Sequence, residues 1–295
     1  MFLSSSNTVP SDSDWHGSAW FGGDVTESRS DLARSDDVGQ DLCRIQRLPH
    51  QPLALSTESP SFTTSHGSHE MKFVVRDDIA QSMVAWARQH LAADPHAGEC
   101  ADEYHVNSLY LDSPGFETYR RQPGFRRRKF RLRRYGQEST IWLEVKRKRN
   151  GHVRKRRVSV AEANLIQHLL EADNPEWEGT WFRRRLERRQ LRPVCQVTYR
   201  RFARIGMSVT GPIRLTIDSD LFAADASDWH VPAAPLSGEP LLKSRRIVEF
   251  KFREVLPISF RGLIQDLRLE PAAFSKYREC VEACVPLNRL TVDAN

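Results

Sequence analysis

Polar and apolar residues alternate with a two-residue period along several short stretches of this chain. In KFRLRRYG (129–136), Lys129, Arg131 and Arg133 fall on one side and Phe130 and Leu132 on the other. A β-strand imposes this sorting because successive side chains point to opposite faces. IWLEVKRK (141–148) sets Glu144 and Lys146 opposite Leu143 and Val145. VEFKF (248–252) sets Glu249 and Lys251 opposite Val248, Phe250 and Phe252, and RLTID (214–218) sets Arg214, Thr216 and Asp218 opposite Leu215 and Ile217. One face of nearly every predicted strand is charged.

Other elements follow from period and punctuation. EMKFVV (70–75) reads as a short strand, followed by a helix that Asp77 or Asp78 caps and that places Ile79, Met83 and Trp86 on one face. YHVNSLYLDSP (104–114) reads as a strand ending in a turn at Ser113-Pro114, and Asn150-Gly151 between two basic runs predicts an antiparallel hairpin. Ser159 and Glu162 form a capping box before ANLIQHLLEA, and WEGTWFRRRLERRQL (177–191) predicts a second, very basic helix. Strand patterns return at 194–203, 213–221 and 246–252. Two helices close the chain, the last over 271–285 with Pro271 near its first turn.

Antiparallel strands with interspersed helices predict an α+β fold. If the sheet closes into a barrel with helices outside, the apolar faces point outward and the charged faces line the lumen. Residues 1–68, rich in Ser, Thr, Asp, Gly and Pro without sustained period, read as a disordered or weakly ordered tail. The expected domain runs over 69–287, with a short tail at 288–295.

Charge sharpens the picture. The 295-residue chain carries a formal +6, but residues 1–70 hold ten acids against four arginines, leaving 40 basic and 28 acidic residues beyond them. Between Arg120 and Arg157 there are 17 Lys or Arg and two acids, Glu138 and Glu144. The expected partner is a polyanion. A lumen of unpaired cations repels itself, so the arrangement makes sense when an anion fills it. Glu70, Glu144 and Glu249, on the same faces, are the acids that could hold a divalent cation or pair with neighbouring lysines. Arg126–Arg128 and the arginines at 183–189 read as exterior charge. Five cysteines without CxxC spacing, and no apolar run of about 18 residues, predict a reduced, cytoplasmic chain.

In order, HEMKFVV, VNSLYLDSP, RRKFRLRRYG, WLEVKRKRNGHVRKRR, VTYRRFA, RLTIDSDL, VEFKF and SKY resemble the VTC domain. That is the polyphosphate polymerase domain of vacuolar transporter chaperone complexes, a branch of the CYTH or triphosphate tunnel metalloenzyme superfamily. The resemblance spans about 68–287. It implies an antiparallel closed β-barrel tunnel of about eight strands that binds ATP or another NTP and a growing polyphosphate chain, with Mn²⁺ or Mg²⁺ on a glutamate. Carried over by position, it implies catalytic roles for Lys72, Arg131, Arg133, Lys146, Arg201 and Lys276. Phosphate binding falls to Lys129, Arg154 or Lys155, Arg214 and Lys251, and metal binding to Glu249, with Glu144 and Glu70 as further candidates. Alternation leaves Arg200 or Arg201 inward; the resemblance favours Arg201. Hydrolytic superfamily members carry ExExK on the first strand, whereas Ser68-His69-Glu70-Met71-Lys72 stands here, which argues for transfer over hydrolysis.

Three other functions are consistent with such a sequence: a triphosphate or NTP hydrolase, a non-catalytic polyphosphate or inositol-phosphate binder, and a nucleic-acid-binding protein. Against the last, no helix-turn-helix, zinc or RNP signature accompanies the basic patch. No Walker A motif occurs either. A separate membrane partner is left open by the resemblance.

Overall fold

The computed structural model describes residues 68–97, 102–149, 152–171 and 175–290. The predicted tail, Cys43, Cys100, the Asn150-Gly151 turn and 291–295 lie outside the described residues. The elements are β1 (Ser68–Arg76), α1 (Asp77–His90), β2 (Ala92–Ala93), β3 (Glu103–Asp112), β4 (Arg128–Tyr135), β5 (Thr140–Arg149), β6 (His152–Ala161), α2 (Thr180–Arg188), β7 (Arg192–Ser208), β8 (Gly211–Asp225), β9 (Arg245–Phe252), α3 (Ile258–Asp266), α4 (Lys276–Cys284) and α5 (Leu287–Leu290). Hydrogen bonding runs β7-β3-β4-β5-β6-β1-β9-β8, and β8 returns to β7. Eight antiparallel strands therefore close into a barrel, and two-residue β2 merely extends β7. The β6–β1 seam is the short one, two residue pairs at Ser68–Val153 and His69–His152, and with it the sheet closes on itself.

Alternation then dictates the layers. Outward-facing Phe73, Leu215, Val248 and Phe250 pack against Met83 of α1 and Phe260 and Leu263 of α3. Phe250 stacks on Phe260 with centroids 4.4 Å apart. Outward Phe130, Leu132, Leu143 and Val158 pack under Phe182 and Leu186 of α2. Helix α4 differs: its Tyr277, Cys280 and Val281 cluster with Tyr110, Cys195, Val197 and Tyr199. Tyr110 and Tyr199 reach the inward Arg131 and Arg133, so α4 seals part of the lumen.

Several local expectations are corrected. Arg76 occupies the N-cap of α1 without a side-chain capping bond, and Asp77 and Asp78 lie in its first turn, where they favour the helix dipole. The Ser159–Glu162 capping box does not form: β6 continues to Ala161, and a 3₁₀ turn (Glu162–Asn164) and a π-helical turn (Gln167–Glu171) follow. The Glu162 carboxylate instead accepts from Arg134. The last long helix starts at Lys276, not near Pro271, because the Ser275 hydroxyl caps it by accepting the Arg278 N–H at 3.4 Å. Among the described residues, no helix is long and apolar enough to cross a membrane.

Candidate functional site

Two ladders set the chemistry of the lumen. Between β1 and β9, Glu70 stands opposite Lys251 and Lys72 opposite Glu249. Lys72 Nζ reaches both carboxylates, Glu70 at 3.3 Å and Glu249 at 3.1 Å. Lys146 contributes two bonds to Glu70 (2.8 and 2.6 Å), and Lys251 lies 3.1 Å from Glu249. Burial and the neighbouring Glu249 push the Glu70 carboxyl up, but Lys146, Lys251 and Lys72 outweigh them and hold it at about 2. Burial likewise opposes the Glu249 charge, yet Lys72 and Lys251 keep its pKa well below the ordinary range.

Across β4, β5 and β6 the register aligns Lys129, Lys146 and Lys155 in one row. Like charges directly opposite one another destabilise a sheet. The next inward row is neutralised. Glu144, fully buried, accepts from Arg131 through one oxygen (2.8 and 2.7 Å) and from Lys155 through the other at 3.2 Å. Arg133 is buried with hydroxyls as its hydrogen-bond partners, donating to Ser108 and Tyr199 at 3.0 Å each, and lies over the Tyr135 and Tyr199 rings. Lys129 donates to Ser275 Oγ at 2.8 Å. Burial, then Lys146, Lys72 and Arg131, lower its pKa to about 7; burial lowers that of Lys146 to about 8 despite Glu70.

On the opposite wall Arg201 grips Asp218 with two bonds, 2.6 and 2.8 Å, and Lys276 adds a third at 2.5 Å. These cations outweigh burial and hold Asp218 at about 2. Arg200 points outward to Glu103 and Asp220. Arg201 is therefore the inward residue of the pair, next to a register shift between Thr198 and Arg200.

A cavity of about 370 Å³ runs between these walls. It brings together Glu70, Lys72, Lys129, Arg131, Arg133, Lys146, Arg201, Glu249, Lys251 and Lys276. Three sequence candidates lie beside it. Lys155 faces inward but is engaged by Glu144, and Arg214 is held by Asp94 at 2.7 Å and by the Tyr104 hydroxyl at 2.9 Å. Arg154 is exposed on the outer face of β6. Conversely, Arg126, Arg127 and Arg128, expected as exterior charge, line the cavity with Arg121, Lys148 and Arg278. The density of cations from Arg120 onward was the available signal; with no period in that loop, nothing in the sequence aimed them. In all, fourteen Lys or Arg and two Glu line the cavity.

Among the described residues no cluster of three or more His, Cys, Asp or Glu is poised for a metal. Glu70 and Glu249, meeting at one lysine, supply two hard oxygen donors. That number suits Mg²⁺ or Mn²⁺, which take their remaining ligands from phosphate and water. Glu144 differs from these two in being held by a guanidinium, with two Arg131 nitrogens on one oxygen.

The solved structures that resemble this chain share little sequence with it. A Bacillus halodurans protein solved as a candidate adenylate cyclase is 13% identical, with 71% of this chain and 94% of that one covered and a TM-score of 0.43. HpAC1 from Hippeastrum, described as having a dominant triphosphatase activity, is also 13% identical, with 74% and 97% covered and a TM-score of 0.42. PH1819 from Pyrococcus horikoshii is 12% identical, with 73% and 99% covered and a TM-score of 0.42. No curated protein matches. The family model of the VTC domain matches residues 68–285. By that match, which takes in every strand of the barrel, the chain belongs to the VTC domain family.

Proposed function

We propose that the tunnel is a metal-dependent polyphosphate polymerase, transferring the terminal phosphoryl of ATP or another NTP to a polyphosphate chain. The observation that carries the reading is the cavity wall itself: fourteen cations line it against two carboxylates, and Lys129, opposite Lys146, has a serine hydroxyl and no carboxylate as its partner among the described residues. Family membership supports the same substrate class. Phosphoryl transfer asks mainly for positioning and charge stabilisation, and no covalent nucleophile is needed.

The roles follow from chemistry. Arg131, Arg133 and Arg201, each locked by a carboxylate or by hydroxyls, offer forked donors to phosphate oxygens. Lys72, Lys129, Lys146, Lys251 and Lys276 act as point charges that neutralise the chain. A divalent cation held by Glu70 and Glu249 would supply Lewis-acid neutralisation of the transferring group. In the transfer, a terminal oxygen of the chain forms the new P–O bond while the bond between the γ-phosphorus and the β–γ bridging oxygen breaks. ADP leaves with that oxygen, and water takes no part. The acceptor oxygen is already anionic, so no general base is required; hydrolysis would need one. Ser68 shares the inward face of β1 with Glu70 and Lys72, at the position where hydrolytic relatives carry a further carboxylate. This favours a phosphate acceptor over water.

The test is incubation of purified protein with ATP and Mn²⁺ or Mg²⁺, with products resolved by gel and phosphorus NMR. Chain growth with stoichiometric ADP, lost in Arg131→Ala, is expected. Orthophosphate release without chains would make the tunnel a hydrolase, and tight binding without turnover a receptor.

A further inference from the structure

One register step from the inward lysine row, the outer face of the same ladder carries a second cationic row. Arg128 stands opposite Arg147, and Arg147 opposite Arg154. Their side chains share one face of β4, β5 and β6, where direct cross-strand neighbours lie about 5 Å apart at Cβ. The row continues onto helix α2. Arg156, next along that face of β6, lies 4.2 Å from the centroid of Trp181, and Arg185 covers the same ring at 5.1 Å. Arg188 follows one turn-edge later, exposed. Among the described residues, none of these six arginines has a carboxylate in an ion pair; Glu187 on the same helix is taken by Arg183 at 2.9 Å. Arg156, Arg128 and Arg188 lie close enough that, after burial, they all lower the Arg185 pKa.

Two further features identify the occupant. Arg128 also lines the tunnel cavity, so the outer row is continuous with the mouth. The aromatic rings of the patch are covered, Trp181 by two guanidinium groups and Trp177 by His168 at 4.5 Å. Single-stranded nucleic acid relies on open rings for base stacking. A base-free, flexible polyanion needs only charge.

We infer that the outer face of β4–β6 and α2 is a second anion site, a track that holds polyphosphate outside the tunnel mouth. This rests on the polyphosphate reading of the tunnel and assigns the arginines that reading leaves unused. Its consequence is length discrimination: tripolyphosphate occupies the tunnel alone, whereas a chain of dozens of phosphates engages tunnel and track together and gains through effective concentration.

The test compares tripolyphosphate and long polyphosphate binding by calorimetry in the full chain and in Arg147→Gln/Arg185→Gln/Arg188→Gln, which leaves the cavity lining untouched. Long-chain affinity is expected to fall about tenfold, from three lost surface contacts. The slope of log K against log salt should shrink by about 2. Tripolyphosphate affinity should hold, and the triple Arg→Lys variant should restore most of the long-chain affinity. Equal losses for both ligands, no loss for either, or full competition by a single-stranded oligonucleotide would overturn the inference. Long-chain binding without tripolyphosphate binding would sink the tunnel reading and, with it, the division of the chain between tunnel and track. If the wild type bound neither, both readings would fall.

Discussion

Raising the pH from 6 to 8 should weaken tripolyphosphate binding through Lys129, and the structure sets the size of the effect. Lys129 faces Lys146 across β4 and β5, donates to a serine hydroxyl and has only cations as its charged neighbours of consequence. Burial and those cations lower its pKa to about 7. A polyanion against the ammonium favours the charged form and returns the pKa toward the ordinary lysine value. Without ligand, a group of pKa about 7 is about one-tenth protonated at pH 8 and about nine-tenths protonated at pH 6. Binding at pH 8 therefore draws in about 0.9 proton at this site, and linkage makes the association constant about tenfold smaller at pH 8 than at pH 6 from Lys129 alone. Lys146, lowered by burial to about 8, adds roughly a further factor of two.

Calorimetry in two buffers of different ionisation enthalpy measures the proton uptake, and the Lys129→Met variant removes the tripolyphosphate's own ionisation by difference. The ratio of affinities at pH 6 and pH 8 should be about tenfold smaller in the variant than in the wild type. Identical pH dependence in the two proteins would refute the reasoning. The stability sign is opposite to the usual lysine case. Because the folded pKa lies below the unfolded value of about 10.4, the unfolded chain binds the extra proton between pH 7 and 10. The Lys129 contribution therefore makes the ligand-free protein more stable as pH rises through that window, and saturating tripolyphosphate should abolish the trend.

Glu249→Gln keeps the shape but removes one of the two charges proposed to hold the metal, so metal-dependent synthesis should fall about 100-fold or more, with weaker Mn²⁺ binding by paramagnetic resonance; full activity would remove Glu249 from the proposed metal site. Arg201→Ala leaves Asp218, 1% exposed at its side chain, with Lys276 as its one remaining ion-pair partner among the described residues. Breaking such a buried pair should cost about 3 kcal/mol in urea unfolding, and a loss under about 1 kcal/mol would show that Lys276 suffices. Phe250→Ala empties the stack on Phe260 and should cost about 3–5 kcal/mol with an unchanged denaturant slope; a near-neutral result would mean α3 does not pack where the ladder requires.

The parity of the strands was legible, and with it most of the tunnel wall. Hydrophobic alternation assigns Lys72, Lys129, Arg131, Arg133, Lys146, Glu249 and Lys251 to one face, and a closed barrel makes that face the lumen. Even the choice between Arg154 and Lys155 lay within reach. A two-residue hairpin at Asn150-Gly151 pairs Arg149 with His152, and counting back pairs Lys146 with Lys155. Arg200 and Arg201 could not be separated by counting, because the register shifts at Thr198 and Arg200. What carries no period was not readable at all. The loop placing Arg126–Arg128 at the cavity, the Asp94 contact that removes Arg214 from it and the late start of α4 depend on contacts between segments distant in sequence.

The acids of the barrel divide into two kinds, and the division bears on how the tunnel works. Glu144 and Asp218 each face an arginine, with two or more bonds in fixed geometry. They orient Arg131 and Arg201 before any substrate arrives, so the forks need little reorganisation when charge develops. Glu70 and Glu249 are held, among the described residues, in ion pairs with lysines alone. An ammonium on a flexible stem is a point charge that can swing to another partner at little geometric cost. These two carboxylates can therefore exchange lysine for a divalent cation while Lys72, Lys146 and Lys251 turn toward phosphate. On the proposed polymerase reading, the residues that neutralise the tunnel without ligand would be the ones that engage the chain, with the arginine frame fixed throughout.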